Sequence, residues 1–150
     1  MTDDLRRHFA ETLDLPPAAV EWLLDVWRMT QMLDDVADGD PVSRDDLNGG
    51  IWASLVTMPA NPFFLANAAA LQTALAQLVL KWQASDDAER QGQADARSFV
   101  WRAGYYDLVL LVVLLTKGHA DAMKDAKTVM HLYGETLHEY LKEFPPCQIP

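Results

Sequence analysis

PPAAVEWLLDVWRMTQMLDDVADGD, residues 16–40, reads as one amphipathic helix with punctuation at both ends. Pro16 and Pro17 suit a first helical turn, where a missing N–H costs nothing, and Gly39-Asp40-Pro41 ends the run. Asp14 stands just ahead as a candidate cap. Between these marks, Val20, Leu24, Trp27, Gln31, Asp34 and Asp38 recur at helical spacing. They make one stripe that begins apolar and ends in carboxylates. Trp22, Val26, Met29, Leu33 and Val36 keep a neighbouring face apolar. A half-buried strand would alternate with period two, and this stretch does not.

The same signals continue outward. A short helix is expected from Asp4 to Thr12, closed by LDLPP. Downstream, Ser43 with Asp46 three residues on is a capping-box spacing for a helix over Arg44 to Met58, weakened by Gly49 and Gly50. Asn61 and Pro62 open the next helix, which is expected to reach Ala84 on the stripe Phe64, Ala68, Leu71, Leu75, Leu78, Trp82. Ser85 is the expected cap of a fifth helix reaching Lys117, polar at first and then apolar nearly all round from Trp101 to Leu115. A last helix is expected from Asp121 to Phe144, stopped by Pro145 and Pro146. The pattern predicts an all-α protein: a compact bundle of five to six helices forming a single domain over 1–150, with a flexible tail at 145–150.

Charge narrows the partners. The chain carries 12 basic and 22 acidic residues, a net charge of -10, against the concentrated positive surface a nucleic-acid backbone requires. The same sign opposes an anionic membrane, and the longest uninterrupted apolar run, Leu108–Leu115, is too short to span a bilayer. The opening MTDDLRRHF lacks the basic-then-apolar order of a signal peptide, and a single Cys147 forms no internal disulfide. A soluble protein of the cytoplasm is the expectation.

The chemistry concentrates at the end of the residue 16–40 helix. Asp34 and Asp38 share a face with Asp35 beside them. Like charges at this spacing repel, and acids at a helix C-terminus oppose the dipole. A cation removes both costs, and carboxylate oxygens are the ligands Mg²⁺ prefers. An acidic helix end fraying into a polar loop accounts for the same residues.

Asp34-Asp35-x-x-Asp38 followed by Arg44 resembles the first aspartate-rich motif of the all-helical isoprenoid (polyprenyl diphosphate) synthases. In that family the aspartates hold Mg²⁺ ions that clamp an allylic diphosphate. The resemblance implies that role for Asp34, Asp35 and Asp38 and a phosphate contact for Arg44. It is local. The chain is about half the family's usual length, the paired arginines appear only as Arg44, and no second motif follows; Asp86-Asp87-x-x-Arg90, at an expected helix start, is the nearest echo.

Three further features matter. Asp107 interrupts the apolar part of the fifth helix, so its charge must be paired, bound to a ligand or shifted in pKa. A hydrogen-bonded structural role and a place in the same cavity as the helix-two acids both fit it. Glu135-x-x-His138 matches one unit of a di-iron bundle, but no second unit exists. Trp22, Trp27, Trp52, Trp82 and Trp101 suit a core or an interface. The function expected is therefore a small helical interaction or structural protein that associates with itself or another protein and needs no cofactor. The alternative is a Mg²⁺-dependent protein acting on a diphosphate or nucleotide through residues 34–38, with Arg44 and Asp107 toward a phosphorylated small molecule.

Overall fold

The computed structural model describes residues 1–145, and among them it holds seven helices and no strand. The all-α expectation stands, with seven helices in place of five to six. Helix α1 (Thr2–Arg7) runs on through a wider π-helical stretch, His8–Thr12. Helix α2 is Pro17–Asp38. Helix α3 is Arg44–Trp52, prolonged by a second π-helical stretch, Ala53–Thr57, and a last turn, Met58–Ala60. Helix α4 is Pro62–Arg90, α5 is Ala96–Lys117 with a turn at Arg102–Ala103, α6 is His119–Met130 and α7 is Leu137–Glu143. Cys147 and most of the expected tail lie outside the described residues.

The chain divides into two compact units, Met1–Ala68 and Ala69–Pro150. Helix α4 crosses the boundary, and its backbone leaves helical geometry at Asn67, φ -127° and ψ 19°. There the Asn67 side chain donates to the Phe63 carbonyl at 3.0 Å.

In the first unit, α2 buries Ala19, Val20, Trp22, Leu23, Leu24 and Val26. Trp22 stacks on Phe64 with ring centroids 5.8 Å apart. Each of the valines and leucines removed from water stabilises by about 1.5–3 kcal/mol. The local signals act as their chemistry requires. Gly39 closes α2 in the left-handed region, φ 79°, its N–H reaching the Asp35 and Val36 carbonyls. Ser43 caps α3 by accepting from the Asp46 N–H at 3.0 Å. Asn61 accepts from the Phe63 and Phe64 N–H groups, and its own amide donates to the Ala18 carbonyl at 2.9 Å, tying α4's start to α2. Asp14 is not a cap: the position belongs to Pro16, and Asp14 takes φ 49° in the preceding turn.

In the second unit the apolar part of α5 buries Leu108, Val109, Val112 and Val113, and packs against α6 across Gly118, φ 87°. Two boundaries differ from expectation. Ser85 caps nothing. It lies buried inside α4, where its hydroxyl donates to the Ser98 carbonyl at 2.9 Å. Asp95 caps the following helix in a reciprocal box with Ser98. The last helix is broken at residues 131–136, and Thr136 with Glu139 restarts it as α7 through a second capping box. Glu135 thus precedes a cap and accepts from the Tyr133 hydroxyl, so Glu135-x-x-His138 is not one helical face.

Tyr140 holds α7 in place. It is fully buried, its hydroxyl donates to Ser98 Oγ at 2.7 Å, and its ring meets Phe99 and Phe144 at 5.5 and 5.3 Å. The Arg102 guanidinium lies 5.4 Å from the same ring and 3.5 Å from Glu89. Burial pushes the Glu89 carboxyl above its ordinary range, ahead of the opposing pull of Tyr140 and Arg102. Burial likewise lifts the Tyr106 phenol to about 12.

Candidate functional site

The first unit carries a groove of about 800 Å³ between α2 and α3. Three contacts set the two helices side by side and antiparallel. Gly50 faces the Met32 thioether, and a Cβ there would stand 2.7 Å from that flexible side-chain end, which would have to move to make room. Thr57 donates to Asp25 at 3.3 Å, and Asn61 reaches the Ala18 carbonyl. On α2 the groove is lined by Glu21, Asp25, Trp27, Arg28, Met29, Gln31, Met32 and Asp35. Trp27 and Gln31 of the expected stripe are among them, whereas Asp34 and Asp38 at its end are not. Opposite stand Asp45, Asp46, Gly49, Trp52 and Ala53.

Charge is uneven along the groove. At one end Glu21 is held by the Arg6 guanidinium, which draws its carboxyl below the ordinary range, and Asp25 pairs with Arg28 at 3.2 Å. At the other end Asp35, Asp45 and Asp46 gather, and among the described residues no lysine or arginine lies within ion-pair distance of them.

The structure separates the residues that the aspartate motif groups. Asp35 lines the groove, whereas Asp34 is half-buried and Asp38 exposed outside its lining. Arg44 is the exposed first residue of α3. Among the described residues no three His, Cys, Asp or Glu side chains converge as ligands for a metal ion. Asp107 belongs to the second unit and pairs with Lys81 of α4 at 2.5 Å, beside a small hollow of about 220 Å³. Asp86 and Asp87 sit near the C-terminal end of α4 and pair with Arg90 at 3.0 and 3.6 Å, rather than opening a helix.

A feature that periodicity did not single out is the absence of any charged residue from Leu47 to Leu80. These residues build the rest of α3 and most of α4, yet many stay in water. On α3, Ile51, Trp52, Leu55 and Val56 form an outward stripe that is 40–73 % exposed. On α4, Leu65, Val79 and Leu80 are 46–65 % exposed. Pro62–Arg90 and Ala96–Lys117 are both long and apolar enough to cross a membrane, although the longest uninterrupted apolar run is short. In the most apolar window of α4 only 6 % is buried. A plain scan for charge-free length would have found this feature.

No family model, curated protein or solved structure matches the chain.

Proposed function

We propose that the protein is a small helical interaction module that self-associates through its uncharged helices. One observation carries the reading: the charge-free stretch Leu47–Leu80 is largely exposed. Monomeric surfaces rarely leave such apolar stripes in water, and contiguous ones mark interaction sites. The Ile51, Trp52, Leu55, Val56 stripe has the adjacent-pair spacing with which one helix docks on another.

A second copy is the partner that the charge distribution favours. Two chains of net charge -10 repel over most of their surfaces, and an uncharged face is where they approach at least electrostatic cost. A two-fold contact sets that face against itself, so the complementarity needed is apolar rather than charged. The Mg²⁺-diphosphate reading has less support, because the aspartates of the motif do not share the groove and no set of metal ligands converges among the described residues.

Sedimentation equilibrium tests the proposal on the wild type and on L55E/L80E. The wild type should sediment as a dimer or larger, with dissociation constant rising by at least about tenfold in the variant while helical circular dichroism is kept. A wild-type monomer at high protein concentration overturns self-association. So does sedimentation with neutral phosphatidylcholine vesicles in place of a discrete oligomer, which would assign the apolar helices to a bilayer.

A further inference from the structure

From Ala69 onward helix α4 lies within the second unit, and it carries two repeats on opposite sides. Leu71, Leu78 and Ser85 recur every seventh residue and are buried. Ala69, Thr73, Ala76, Leu80 and Gln83 recur at alternating spacings of four and three, and all are exposed. That alternation is the seam along which one helix packs lengthwise on another. Thr73 does not oppose such packing. Its hydroxyl donates to the Ala69 carbonyl at 2.9 Å, so apolar contact strands no donor there.

Resting on the self-association reading, we propose that this seam meets the same seam of a second copy, antiparallel, about a two-fold axis between Thr73 and Ala76. Such an axis sets Leu80 opposite the partner's Ala69 and Thr73 opposite the partner's Ala76. Each layer then holds one larger and one smaller side chain, and the layers call for similar separations of the two helices. A parallel pair sets Leu80 on Leu80 and Ala76 on Ala76, and its layers call for unequal separations. A partner of another sequence would have to reproduce this alternation of sizes, which a second copy supplies by symmetry.

Charge selects the same direction. The seam is uncharged from Ala69 to Gln83, and its next position is Asp87, 3.6 Å from Arg90 of the same helix. A parallel pair brings two Asp87 carboxylates together. The antiparallel pair holds each about 19 Å from the axis, and the two about 38 Å apart, at about 1.5 Å per residue. It also sets the two helix dipoles head to tail.

Disulfide trapping reads the direction. Ala69→Cys and Leu80→Cys are each made in the full chain with Cys147→Ser, mixed in equal amounts in a glutathione redox buffer, and the linked dimers are weighed by mass spectrometry. The A69C–L80C dimer should exceed either homodimer by at least about tenfold, because the antiparallel pair separates like positions by about 16 Å along the seam, beyond the reach of a disulfide. Sedimentation equilibrium gives a second reading on variants that keep their helical circular dichroism. L80A should raise the dissociation constant by at least about tenfold, and A69L/L80A, which restores one leucine to each outer layer, should recover most of that loss. Homodimers in excess overturn the antiparallel direction. A statistical mixture of disulfides, or undiminished association of L80A, moves the contact off this seam. In both cases self-association stands if the wild type sediments as a dimer. A wild-type monomer, or a chain that sediments only with neutral vesicles, overturns both ideas.

Discussion

Truncating Tyr140 should detach the last helix, and the structure sets how much each part of the side chain contributes. Helix α7 has seven residues, too few to persist alone in water. It depends on Tyr140, which is fully buried among Phe99, Phe144 and Arg102 and hydrogen-bonded to Ser98. Y140F keeps the ring contacts and removes the hydroxyl with its hydrogen bond to Ser98 and its interaction with Glu89. Ser98 Oγ still donates to the Asp95 carbonyl at 2.9 Å and accepts from the Asp95 N–H at 2.8 Å, so no hydroxyl is stranded. The expected loss is about 1 kcal/mol. Y140A removes the ring as well, and a buried aromatic truncated to alanine costs about 3–5 kcal/mol. Hydrogen exchange read at the amides of residues 137–143 is the assay, because opening of α7 need not coincide with global unfolding. In Y140F their protection should fall by about tenfold or less, and in Y140A to near that of a free peptide. Equal losses in the two variants would place the stabilisation in the hydroxyl, and unchanged protection in Y140A would show that α7 is held by something else.

Two glycines should respond in opposite directions. Gly49→Ala, within α3 with open space around its Cβ, should stabilise by about 0.5–1 kcal/mol, whereas Gly39→Ala, at φ 79°, should cost about 1 kcal/mol; thermal denaturation compares them. The pH dependence of Glu89 follows from the raised position of its carboxyl. The native state holds its proton to higher pH than the unfolded chain does, so the contribution of Glu89 to stability falls as pH rises from the ordinary glutamate range through the folded value. E89Q lacks this titration, and urea unfolding at pH 4 and pH 7 should show it gaining on the wild type at the higher pH; a gap that closes the other way contradicts the burial argument. The Lys81–Asp107 pair is between one-third and about half exposed, so D107N should change the melting stability by less than about 0.5 kcal/mol, and high salt should erase the difference.

The helix boundaries that sequence located correctly are those set by local chemistry. Pro17, Gly39, Ser43, Asn61 and Pro62 act within one turn of themselves, through a fixed φ, a left-handed residue or a side chain accepting from a nearby N–H. Ser85 misled because a serine is also a good buried tie, and its partner carbonyl, Ser98, lies beyond the next turn of chain. The break before α7 was legible in part. Gly134 and the Thr136–Glu139 capping spacing stand in the sequence, but the run of apolar residues at helical spacing from Met123 to Phe144 concealed the interruption. Its first member shows the error: Met123 is 67 % exposed, and α6 buries Ala122 and Val129 instead.

The groove-lining face of α2 was harder to read, and the reason is geometric. A helix with apolar residues on two adjoining stripes has two candidate buried faces, and its own sequence does not say against which one the next helix returns. Here α3 returns with Gly50 beside the Met32 thioether, and the lining of the groove takes in Glu21, Asp25, Trp27, Arg28, Met29, Gln31, Met32 and Asp35. Trp27 and Gln31 of the expected stripe face the groove, but at the helix end it is Asp35, one residue round from Asp34, that joins them, while Asp34 and Asp38 stay outside the lining. A motif defined by spacing along one helix thus yields to a constellation defined by two. Asp45 and Asp46, which the aspartate motif does not include, line the groove together with Asp35.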